Sequence, residues 1–126
     1  MKKSSYHTLR IGLAVTFLWI GVLIFKNPEA WGASIMPWAA KLIPGSLVNA
    51  MLGTAVLDVL IGIFLLFNIL TSLAAFIGAL HILTVLITVG ITDITIRDVG
   101  LLGAVIALTI EALPQNLKDR WFHNKQ

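Results

Sequence analysis

The sequence predicts an all-α fold: an antiparallel four-helix bundle embedded in a membrane, with one transmembrane domain over residues 1–126. Three observations lead there. Hydrophobic residues make up 58% of the 126 and charged residues only 12%, with a mean hydropathy of +0.94, which is far from the make-up of a soluble domain. Two runs, Leu47 to Phe67 and Leu70 to Ile91, are each long enough to cross a bilayer. Each holds a single side chain able to carry charge near neutral pH, Asp58 in the first and His81 in the second. The polar stretch Asn68 to Ser72 makes the turn between them. So short a chain leaves no room for a soluble catalytic domain, so no independent catalytic activity is expected.

The first helix is expected over residues 9–25, an apolar run interrupted only by Arg10 and Thr16 after the polar start with Lys2, Lys3 and His7. A basic start before an apolar run also describes a signal peptide. This run is longer than most signal cores, however, and the nearest small-x-small site, Ala30 to Gly32, lies beyond Pro28. The segment is therefore read as an anchored span. Residues 26–46 form a connector in which Pro28, Pro37 and Pro44 forbid one continuous helix, while Trp31 and Trp38 favour the headgroup level. It is expected to lie along the membrane interface as an aromatic belt, with a lid over a cleft between helices as the other reading.

Helices over 47–67 and 70–91 follow. After Ile91 comes the polar patch Thr92, Asp93, Thr95, Arg97 and Asp98, and the last helix is expected over 95–113, capped by Asp93 or Thr95 and stopped by Pro114. Residues 114–126 read as a short basic interfacial tail. Gly12 with Thr16, Ala74 with Gly78, and Gly103 with Ala107 have the spacing that lets membrane helices approach closely.

Lys2, Lys3, Arg10, Lys118, Arg120 and Lys125 fall on the side of the termini, against Lys26, Lys41 and Arg97 on the other. Six against three predicts a multi-pass protein of the cell membrane with both termini cytoplasmic. The net charge of +3 resides mainly near the ends of the chain, so it marks orientation rather than a nucleic-acid-binding stripe. Cysteine is absent and only one histidine lies within a hydrophobic run, which excludes thiol relays, iron-sulfur ligation and a bis-histidine haem within one chain. No metal site is expected.

The candidate site lies in the two central helices. Asp58 and His81 are equidistant from the turn, so in an antiparallel hairpin both lie roughly 17 Å from it at about 1.5 Å per residue. Ala55 and Gly62 flank Asp58, and Gly78 precedes His81 by three, which puts both groups on small-residue faces suited to the bundle interior. A charged Asp near mid-bilayer costs about 3 kcal/mol even on the milder scale. The pair is thus either a structural hydrogen bond, with Thr54 or Thr84 as other partners for Asp58, or a place where a proton is held and a polar ligand head is bound. A quinone would suit it, the imidazole donating to a carbonyl oxygen and the acid handling the accompanying proton. Trp19 is a further candidate contact for such a ligand. Two structural charge layers are expected besides: Lys26, Asp93, Arg97 and Asp98 at the outer end, with Lys26 paired to Asp98, and Arg10 level with Glu111 at the inner end.

The run Phe17, Leu18, Trp19, Ile20, Gly21, then Lys26, Asn27, Pro28 and Trp31, together with Ile96, Arg97, Asp98, Val99, Gly100, Leu101, Leu102 and Gly103, resembles the DoxX family of small four-helix membrane proteins. The order of elements agrees over about residues 8 to 112, including an acid in the second helix. The resemblance implies an antiparallel four-helix membrane bundle, in a family named for subunits of thiosulfate:quinone oxidoreductase systems. The expected function is a membrane subunit or anchor of a redox system that binds quinone between its helices, with the bilayer and a soluble or membrane oxidoreductase as partners. The alternative is a proton-coupled small-solute transporter or channel using Asp58 and His81, working as a homo-oligomer. Fold alone does not decide between them.

Overall fold

The computed structural model describes residues 1–123, and within them the chain is helical with no strand. The elements run α1 (Lys3–Lys26), α2 (Pro28–Gly32), α3 (Pro37–Ala40), α4 (Leu47–Leu66), α5 (Thr71–Val89), α6 (Ile96–Glu111) and α7 (Gln115–Lys118), followed by a π-turn at Asp119–His123. Lys125, counted above in the basic tail, lies outside the described residues.

Three helices, α1, α4 and α5, are long and apolar enough to cross a membrane. The fourth long helix, α6, has 16 residues and spans roughly 24 Å at about 1.5 Å per residue, short of a hydrocarbon core of about 30 Å. Its expected end at residue 113 is trimmed because Pro114 supplies no N–H to continue the ladder. The first helix, by contrast, starts at Lys3, six residues before its expected start. Its polar opening turns are tied down by the Met1 amino group on Glu111, 3.2 Å, and by the Tyr6 hydroxyl on Asn68, 2.9 Å.

The connector breaks where its prolines require, two of them entering at the first helical position and Pro44 lying in the loop before α4. Pro28 opens α2 behind an Asn27 side chain that accepts from the Ala30 amide, and Pro37 opens α3. The Met36 amide donates to the Thr88 carbonyl at 2.8 Å, so the connector satisfies one of the last carbonyls of α5. Ser46 caps α4, its hydroxyl accepting from the Asn49 amide.

The turn after α4 places Asn68 and Leu70 in the left-handed region, φ 56° and 46°. Asn tolerates this better than most residues, and its side-chain oxygen accepts from both Thr71 and Tyr6. At the start of α6 neither expected cap holds. The Thr95 hydroxyl turns back to the Gly90 carbonyl at 2.6 Å and accepts from the Thr92 amide, while the Thr92 hydroxyl accepts the amides of Ile94 and Thr95.

Helix α1 packs most extensively on α4, and α5 on α6; α4 also meets α5, and α1 meets α6. The shared core includes Leu13, Ala14, Phe17, Ile61, Leu65, Ala75, Ile82, Val105 and Leu108. Close approach occurs at glycines other than most of those expected. A Cβ on Gly21 would lie 3.0 Å from the Ala55 carbonyl oxygen, and one on Gly62 would lie 3.0 Å from that of Ala14. Gly12 and Gly103 face nothing within 4 Å, so their spacing marks no contact. Of the three expected pairs, Ala74 with Gly78 does face the core, with the Phe17 ring seated on Gly78.

Candidate functional site

Asp58 lies on the buried stripe of α4 formed by Ala55, Asp58, Ile61, Gly62 and Leu65. His81 lies at the margin of the buried stripe of α5, three residues after Gly78 and one before Ile82. Because the turn brings α5 back along α4, the two reach the same depth, and their rotations bring them together. His81 Nε2 stands 3.1 Å from Asp58 Oδ1, with the acid side chain 3% exposed and the imidazole 15%.

The local packing explains why this contact can form so far from water. Gly62, one turn beyond Asp58, admits the Leu18 side chain, and Gly78, one turn before His81, admits the Phe17 ring. Two consecutive residues of α1 thus fill the spaces beside the pair. The hydroxyls of Thr54 and Thr84 take no part, for each bonds a carbonyl of its own helix, Ala50 and Leu80. The acid therefore has the imidazole as its polar partner.

This geometry allows one proton to sit between the two atoms, on either the ring nitrogen or the carboxyl oxygen. With Nε2 engaged, Nδ1 is the ring atom left to meet another polar group. His81 is also the more exposed partner, so anything that reaches the pair meets the imidazole first.

The remaining candidates are placed apart from this pair. Trp19 is 67% exposed on the outer face of α1, because neighbouring Phe17 and Gly21 carry the inward face of that helix; it does not join Asp58 and His81. Lys26 and Asp98 form no ion pair among the described residues, and the Arg97 Nε donates to the Ile94 carbonyl instead. Arg10 does not pair with Glu111. Its guanidinium Nη1 donates to the carbonyls of Leu65 and Leu66 at 2.6 and 2.7 Å, where the end of α4 leaves carbonyls without intrahelical partners and its dipole favours a cation. Glu111 takes the Met1 amino group at 3.2 Å and Lys118 at 3.8 Å.

Sequence reasoning missed His7, whose Nδ1 accepts from Arg10 Nε and lies 3.1 Å from Nη2. The spacing of three between His7 and Arg10 was the available signal, since it puts both on one face of a helix. It also missed two apolar grooves between α5 and α6, about 460 and 420 Å³, neither lined by Asp58 or His81. No protein-family profile, curated protein or solved structure matches this chain.

Proposed function

We propose that this chain is a membrane subunit of a redox system, an antiparallel four-helix bundle with both termini cytoplasmic, in which Asp58 and His81 bind the head of a quinone. The observation that carries this reading is the 3.1 Å contact between a buried acid and an imidazole midway along two apolar helices. An ionisable group held at membrane depth is costly and is by default a site. The residues quoted for the DoxX resemblance, in particular Arg97, Asp98, Val99, Gly100 and Leu101, support the same reading, as does the excess of Lys and Arg toward the termini.

In this mechanism the His81 Nδ1–H donates to a quinone carbonyl oxygen, while Asp58 holds the ring from its other side and exchanges a proton with it. Reduction to the quinol takes two electrons and two protons. The electrons and the second proton come from a partner oxidoreductase, because this chain has no cysteine and no second intramembrane histidine with which to hold an iron-sulfur centre or a bis-histidine haem. Its part is to bind, orient and manage one proton.

The test uses the full chain in lipid nanodiscs, titrated with decylubiquinone and followed by saturable binding and by thermal unfolding. Asp58→Asn and His81→Leu should each weaken binding by about tenfold, equivalent to about 1.4 kcal/mol and within the range of one ordinary hydrogen bond. Asp58→Asn should keep the fold. Saturable binding that survives unchanged in both variants rejects the site. Absence of quinone binding together with pH-dependent solute flux in vesicles rejects the redox role in favour of transport.

A further inference from the structure

The two grooves between α5 and α6 adjoin, since Phe76 and Thr109 line both. Together they form one apolar channel from Leu83 and Leu102 to Leu113 and Pro114, roughly 16 Å along α6 at about 1.5 Å per residue. It lies on the outside of the helix pair, where an acyl chain can reach it from the bilayer. Its mouth opens where α6 ends, and that end is basic. Lys118 and Arg120 follow Pro114 within six residues, and the Met1 contact with Glu111 brings the start of α1, with Lys2 and Lys3, to the same end. Glu111 and Asp119 are the acids there, and although Glu111 takes both the Met1 amino group and Lys118, Lys2, Lys3 and Arg120 keep the balance positive.

An apolar channel that ends under a cluster of cations has the two-part chemistry of an anionic amphiphile. We infer that the α5/α6 groove, whose lining ends at Pro114 with Lys118 and Arg120 following in the chain, is a binding site for an anionic phospholipid, acyl chain along the groove and phosphate at the basic end. Basic residues close to a membrane surface attract anionic headgroups, by about fivefold in affinity per cation. This inference uses the membrane reading of α1, α4 and α5 but none of the quinone chemistry, because neither Asp58 nor His81 lines the groove.

The test is competition between phosphatidylglycerol and phosphatidylcholine of identical acyl chains. The full chain is delipidated in mild detergent and incubated with equal amounts of the two. Retained lipid is then counted by native mass spectrometry. The wild type should retain phosphatidylglycerol over phosphatidylcholine by at least about fivefold. The double variant Lys118→Gln with Arg120→Gln should lose that preference while still retaining lipid. Ala112→Trp, which fills the groove near its mouth at a part-buried position just after α6, should lose retention of both lipids. If the double variant fails to fold, Arg120→Gln alone should lower the preference by about fivefold. Equal retention of the two lipids by wild type overturns the inference, as does a preference that survives removal of the cations. A Leu83→Cys variant that cross-links efficiently into a dimer while retaining no lipid assigns the groove to a second copy instead.

Discussion

Helices α1 and α4 meet without a gap, whereas α5 and α6 meet around one. Both pairs carry small residues at packing intervals, so composition does not account for the difference. In the first pair one glycine of each helix is opposed by backbone of the other, Gly21 by Ala55 and Gly62 by Ala14, while Gly12 and Gly53 face nothing within 4 Å, and Ala14 and Ala55 are fully buried. In the second, Gly103 faces open space, and bulky Phe76, Leu80, Leu83 and Leu102 stand along the groove. Small residues close an interface only when they oppose each other, and membrane helices depend on such close fit because lipid cancels the hydrophobic drive between them. The polar ties follow the same division. A charged guanidinium bolts α1 to the end of α4, while a single hydroxyl contact, Ser72 to the Thr109 carbonyl at 3.0 Å, joins α5 to α6.

The largest effect should come from the bolt. Arg10→Leu removes two charge-assisted hydrogen bonds, with the Leu65 carbonyl keeping the Asn68 amide, at a cost of about 3 kcal/mol; Arg10→Lys should recover only part, because an ammonium lacks the planar fork. Thermal unfolding in detergent, read beside Ser72→Ala, checks the order, and a greater loss in Ser72→Ala would reverse the assignment of firm and loose pairs. Next comes the glycine seam. Gly62→Val should cost about 2 kcal/mol, because its Cβ meets both Leu18 and the Ala14 carbonyl.

The hydroxyl tie is weaker, and Ser72→Ala should cost about 1 kcal/mol or less. Smallest of all is Gly103→Ala, expected within about 0.5 kcal/mol of wild type or slightly stabilising, since the methyl enters open space and improves helix propensity. Equal losses in Gly62→Val and Gly103→Ala would mean that both helix pairs are equally closely packed, and the contrast between them would fail.

The spans around Asp58 and His81 were legible because hydropathy over twenty residues reports burial in lipid, and a fixed rise per residue turns position into depth. The shared level of the acid and the imidazole follows from their equal distances to the Asn68 turn. The prolines likewise dictated the broken connector, since a ring without an N–H ends a helix wherever the chain later lies. Rotation is different. Whether Asp58 and His81 would touch, or Trp19 would turn toward them, depends on which faces of α1, α4 and α5 pack, and that is decided by how Gly62 and Gly78 receive Leu18 and Phe17.

Arg10 shows the other limit. A sequence displays side-chain charges but hides the carbonyls that a helix end leaves open to a further donor. Glu111 therefore stood out as its partner, although Leu65 and Leu66 supply the acceptors. Hydrophobic length and turn chemistry are local and set the four long helices and the depth of the acid and the imidazole. Their 3.1 Å contact, the cap on α4 and the groove beside α5 depend on helix phase and close fit, which exist only once the helices are packed.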